Sequence, residues 1–154
     1  MEANDNQLWI NDVAFKITTS NFRFIEDNGE GLSGWEFNIE TTRNNDLDDE
    51  NPLWGRKPRF YAEGSPIPLK NLDDLTGVEI ELDEPGDEET GEVYFTLYVF
   101  EHGDLVNLRL KFVEKKENKY KLLVTATIEA GSVLSEECRL KIETWIEQNP
   151  PGSY

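Results

Sequence analysis

The sequence predicts an all-β fold, an antiparallel β-sandwich or flattened barrel of about 8–10 strands with at most one or two short helices. Three observations carry that expectation. Apolar residues recur at every second position through much of the chain, the pattern of half-buried strands. Short segments rich in Gly, Asn and Asp punctuate these runs at hairpin spacing. No heptad, internal repeat or long amphipathic helix competes with that reading. At 154 residues, one domain spanning 1–154 accounts for the whole chain, and its core needs no disulfide or metal to support it.

The strands follow in order. Val13, Phe15 and Ile17 alternate with polar neighbours, as do Phe22 and Phe24. In Gly34–Thr42, Trp35, Phe37, Ile39 and Thr41 share one face, opposite Glu36, Asn38 and Glu40. Val78, Ile80 and Leu82 form a shorter match. Glu92–Glu101 is apolar on both sides, with Val93, Phe95, Leu97 and Val99 on one and Tyr94, Tyr98 and Phe100 on the other. That pattern predicts a central strand covered twice, with the N-terminal segment or Pro66–Leu75 as the second cover. Val106, Leu108, Leu110 and Phe112 form the next inward set, then Tyr120, Leu122, Val124, Ala126 and Ile128. Cys138, Leu140, Ile142 and Ile146 follow, with Trp145 outward. From Glu92 onward the chain thus reads as a four-stranded meander, after three or so strands between Leu8 and Thr42. Tight connections are expected at His102–Asp104 and Lys115–Asn118, and a longer Gly-rich one at Asp27–Ser33. Leu69–Leu75 and Ala130–Glu137 are the two places for a short helix. Residues 1–6 and 148–154 are expected to be loose tails.

Charge narrows the function. Fifteen Lys and Arg against 32 Asp and Glu leave a net charge of −17, which disfavours nucleic acid and anionic membrane surfaces as partners. No apolar run is long enough for a membrane-spanning helix. The polar N-terminus lacks the pattern of a secretory signal, and Cys138 is the single cysteine. A cytoplasmic location is the expectation from these features.

The acidity is uneven. Asn71–Glu92 holds ten carboxylates and no Lys or Arg, and residues 46–50 read DLDDE. Directly after that run comes Leu53–Tyr61, an island of three cations and three aromatics. Acidic loops favour association with a basic protein, while aromatic and Arg anchors supply affinity. The candidate interaction surface is therefore Asp46, Asp48, Asp49 and Glu50 together with Trp54, Arg56, Arg59 and Tyr61. An alternative is calcium, whose oxygen ligands could come from Asp46, Asp48, Asp49, Asp83, Asp87 and Glu88. Nothing matches an EF-hand loop. Solvated loops that keep the chain soluble and its strand edges apart are the plain reading of the same charges.

Other motifs lead nowhere. Gly29–Gly34 spells GxGxxG, yet it runs into a strand where a dinucleotide site needs a helix, and it is acidic. His102 is the one histidine, which excludes a multi-histidine metal site. No nucleophile elbow is present, and Cys138 falls on an inward face. A carboxylate pair suited to hydrolysis cannot be picked out among the 32 acids. Sugar binding would use an outward aromatic, for which Trp145 is the best candidate and Trp9 is undetermined. Arg109, Lys111, Lys121, Arg139 and Lys141 share outward parity on the C-terminal strands, as an ordinary solvent-facing sheet would. The expected function is a non-enzymatic interaction protein of bacterial inhibitor or immunity type that covers a basic partner such as a nuclease. A calcium-dependent adaptor or ligand-binding module is second, and a small carboxylate enzyme third. The sequence leaves the oligomeric state open.

Overall fold

In the computed structural model the described residues are 6–27, 33–87, 89, 91–131 and 133–152. They form ten strands: β1 (Gln7–Ile10), β2 (Val13–Ile25), β3 (Gly34–Thr41), β4 (Arg59–Ser65), β5 (Glu79–Leu82), β6 (Thr96–Tyr98), β7 (His102–Gly103), β8 (Leu105–Lys116), β9 (Lys119–Ile128) and β10 (Cys138–Gln148). All belong to one sheet, ordered β5-β8-β9-β10-β1-β2-β3-β4-β6-β7, with antiparallel neighbours throughout. A short parallel contact joins the end of β10 to β2 at Asn21 and Phe22. The fold is thus all-β, as the alternation predicts, and no helix occurs among the described residues.

The sheet curls on itself. Phe22 of β2 lies 5.5 Å from Phe112 of β8 and 6.1 Å from Tyr120 of β9, although neither strand adjoins β2. Asp104 alone separates β7, at one end of the order, from β8, next to the other end. Inside the curl the core is rich in buried aromatics, among them Trp35, Phe37, Phe60, Phe95, Phe112 and Tyr120. Their rings meet at centroid distances such as 4.7 Å for Phe60–Phe95 and 5.2 Å for Phe22–Phe37. Each such pair adds about 0.5–1.5 kcal/mol beyond area burial.

The Pro66–Leu75 segment is an extended strap where a helix is expected at Leu69–Leu75. Its backbone is bonded to core side chains: Trp35 Nε1 donates to the Leu69 carbonyl at 2.8 Å. The Leu75 N–H donates to the Tyr120 hydroxyl at 3.1 Å. The strap's own Ile67, Leu69 and Leu75 are buried in the core. Ala130–Glu137 likewise contains no helix among its described residues.

Four further expectations are corrected. Glu92–Glu101 is not one central strand. It supplies the three-residue β6, breaks at a turn where Val99 N–H donates to the Glu101 carbonyl, and resumes as β7. Its outward aromatics Tyr98 and Phe100 are exposed, with no second covering layer among the described residues, while Tyr94 is half-buried against the core. The tight connection therefore falls at 99–101, upstream of His102–Asp104. The C-terminal meander has three strands, β8-β9-β10, because β6 pairs with β4 at the far side of the curl. Finally, residues 148–152 are not a loose tail. Asn149 and Gly152 donate backbone hydrogen bonds to Phe22 and Phe24 of β2, and Gly152 accepts one from Glu26. Asn6 is fixed as well, its carbonyl accepting from Ile17 N–H and its side chain from the Thr144 hydroxyl and Trp145 N–H.

Candidate interaction surface

The acidic run and the first part of the aromatic island lie in the β3–β4 connection, residues 42–58, and the island ends in β4 at Arg59, Phe60 and Tyr61. Asx turns shape the first part of the connection. Asn44 Oδ1 accepts from Asp46 N–H at 2.8 Å, Asp48 Oδ1 from Glu50 N–H at 2.9 Å, and Asn51 Oδ1 from Leu53 N–H at 2.9 Å. These are the local bonds that Asn and Asp side chains form with backbone two residues on. Asn44 also ties the loop to β2 by donating to the Ala14 carbonyl at 2.8 Å. Leu53 is the loop's buried anchor at 3% exposure. Around that anchor Asp46, Asp48, Asp49 and Glu50 remain exposed.

Beyond Leu53 the chain turns outward. Trp54 is 53% exposed, and Gly55 follows with φ of 73°, a left-handed conformation that glycine adopts without a Cβ clash. Arg56 then lays its guanidinium over the Phe100 ring, 4.7 Å from the centroid. This contact joins the loop to the turn between β6 and β7. Arg59, on β4, stacks over Tyr61 at 4.3 Å and donates to Asn38 Oδ1 at 2.9 Å. In register it faces Tyr98 of β6. Tyr98 in turn packs edge-on against His102 of β7, 5.2 Å away.

The structure therefore brings together Arg56, Arg59 and Tyr61 with three residues the sequence reading did not select: Tyr98, Phe100 and His102. Tyr98 and Phe100 were legible as apolar, but parity alone assigned them to a covered face. The signal available was their neighbourhood: Glu101, His102, Gly103 and Asp104 follow at once, too polar for the cover that a central strand requires. Of the island's aromatics, Phe60 points into the core and Trp54 and Tyr61 outward. Two shallow depressions, of about 300 and 280 Å³, adjoin the face and share Tyr61, Val93 and Thr96; Val93 is 50% exposed.

The second acidic region follows β5, and its Pro85 and Glu92, with the adjoining Val93, line those two depressions, so the curl brings it beside the same face. Asp83 pairs with Arg109 at 3.5 Å, and Asp87 Oδ1 accepts from Glu89 N–H at 2.8 Å. Glu88 lies outside the described residues, as does most of the Gly29–Gly34 motif. Among the described residues no three His, Cys, Asp or Glu side chains gather as a metal site. Cys138 is buried and its Sγ contacts the Glu136 carbonyl at 3.3 Å. Burial pushes the thiol's pKa up, against a smaller opposing effect of the Asn11 side chain. His102 and Cys138 thus have separate surroundings. No described helix is long and apolar enough to cross a membrane. No protein-family profile, curated protein or solved structure matches the chain.

Proposed function

We propose that this chain is a non-enzymatic protein-interaction module of inhibitor or immunity type, acting on a basic partner. One observation supports the reading most directly. Trp54, Tyr98 and Phe100 are exposed on the flank where Arg56 and Arg59 are stacked, next to the acidic 46–50 loop. Exposed Trp and Tyr with ordered Arg are the residue types that dominate binding hot spots. A neighbouring acidic loop adds steering toward a positively charged surface. On such a partner the loop carboxylates would occupy the places of nucleic-acid phosphates.

A photo-crosslinking residue at position 54, introduced in cells that express the protein, should trap a basic protein. The same residue at position 70 should not. Once the partner is in hand, the fourfold change Asp46→Asn, Asp48→Asn, Asp49→Asn and Glu50→Gln should slow association and flatten its salt dependence. Trp54→Ala should instead accelerate dissociation, at a cost of about 2 kcal/mol or more. Unchanged kinetics in both variants would overturn the assignment.

A further inference from the structure

A depression of about 990 Å³ lies on a different face, across the outward side of β1, β10, β9 and β8. Its floor is made of cross-strand rows. Trp9 of β1 stands opposite Lys141 of β10, which stands opposite Thr125 of β9. In the next row Arg139 faces Thr127. The concavity is built into the backbone at two left-handed asparagines. At Asn107, φ of 52° accompanies a register shift of β8 against β9, and such a bulge bends its strand. At Asn11, with φ of 54°, the β1–β2 turn is locked to β10. Asn11 N–H donates to the Arg139 carbonyl at 2.8 Å, and Asn11 Oδ1 accepts from Arg139 N–H at 2.9 Å.

Two arginines of this acidic chain, Arg43 and Arg139, show no carboxylate or ring partner among the described residues, and the exposed Arg139 is the one that lines the groove. Arg23, Arg59 and Arg109 each have a carboxylate within 4 Å, and Arg56 has a ring. Among the described residues Lys141 has no carboxylate partner but has a cation–π contact, 5.2 Å over Trp9, worth about 0.5–1 kcal/mol at an exposed site. Asp12, which accepts hydrogen bonds but cannot donate when ionised, lines the same space. The lining thus mixes donors only (Arg139, Lys141), an acceptor only (Asp12) and hydroxyls that do both (Thr125, Thr127), beside one large indole.

We propose that this groove binds an acidic oligosaccharide of the uronic-acid type. A polyol offers donors and acceptors along its whole length, which suits the mixed lining. Its carboxylates give Arg139 and Lys141 the charge-assisted partners they lack. The apolar ring faces of a sugar match Trp9 once Lys141 exchanges its weak ring contact for a carboxylate. Four strands span ~14 Å, room for several linked rings. An extended peptide fits less well, because these interior strands already pair on both sides and leave no free edge to extend. The proposal is independent of the interaction surface above and uses none of its residues.

Amide and indole NMR spectra of the intact chain would be followed while oligogalacturonate and oligomannuronate hexamers are added. A neutral maltohexaose and a hexaglutamate peptide serve as comparisons. Salt is held near 150 mM, where a Debye length of ~8 Å limits repulsion from the net negative charge. One or both uronates should bind saturably and shift Trp9, Thr125, Thr127 and Arg139. Arg139→Gln, at an exposed side chain, should weaken that binding about tenfold or more, and Thr127→Ala should weaken it without changing the fold. Lys119→Gln, outside the groove, should leave it unchanged. No saturable binding of either uronate at millimolar concentration would overturn the proposal. Equal binding of maltohexaose would overturn the role of Arg139, and equal binding of hexaglutamate would overturn the saccharide assignment.

Discussion

Tyr120 shows how one side chain serves two parts of the fold. Its ring is fully buried against Phe22 and Phe112, while its hydroxyl is the partner of the Leu75 N–H in the strap. Tyr120→Phe keeps the ring and leaves that buried donor without its acceptor. The expected cost is about 1–3 kcal/mol, read from urea denaturation, together with faster hydrogen exchange at Leu75. Cys138 makes a second case. With its pKa raised by burial, the thiol stays protonated at neutral pH and should react with a disulfide reagent far more slowly in the native state than in urea. The inward position of Cys138 was legible from parity alone. The opposite fates of Trp54 and Phe60 were not, because the turn at Gly55 lies between them and breaks any alternation. Only the strand that begins at Arg59 restores a face to count from.

At the scale of elements, period-two alternation identified β3, β9 and β10 face by face, and Thr144 completes the inward row of β10 at 0% exposure. It failed where the backbone itself changes phase. In β8, Val106 reads as inward, but the bulge at Asn107 puts Leu105 in the core and leaves Val106 half-buried. Bulges depend on one residue's left-handed φ, which Asn tolerates better than most. Asn107→Gly should therefore be nearly neutral, whereas Asn107→Val should cost about 1–2 kcal/mol and loosen the β8–β9 pairing in hydrogen exchange. The Glu92–Glu101 segment failed for another reason. Alternation says that two faces are apolar, but whether a layer or a binding partner covers the second is decided by pairing with β4, some thirty residues upstream. The acidic loop was partly legible, since Asn and Asp at positions 44, 48 and 51 are the residues an Asx-turn loop requires.

For the whole molecule the dominant quantity is the net charge of −17. Self-repulsion opposes compactness and is relieved by screening. The melting temperature should rise with NaCl, and MgCl2 and CaCl2 at matched ionic strength should give the same rise. A specific ion instead adds stability by mass action, ~2.7 kcal/mol at a hundredfold excess over Kd. Such a shift with Ca²⁺ alone would mark Asp46, Asp48, Asp49, Asp83, Asp87 and Glu88 as a ligand source; equal shifts mean screening.

The place of β10 has a consequence for how this chain reaches its structure. The strand made by residues 138–148 is seated mid-sheet, with β9 on one side and β1 on the other. Until it arrives, the hairpin of β8 and β9 is tied to the β1–β2–β3–β4 half by chain continuity at Asp104 and not by strand pairing, and the outer edge of β1 is unpaired. Assembly must wait for contacts that span almost the whole sequence, which slows folding and exposes unpaired strand edges meanwhile. The net charge of −17 sets a repulsion between copies of the chain that opposes pairing of such exposed edges during that interval.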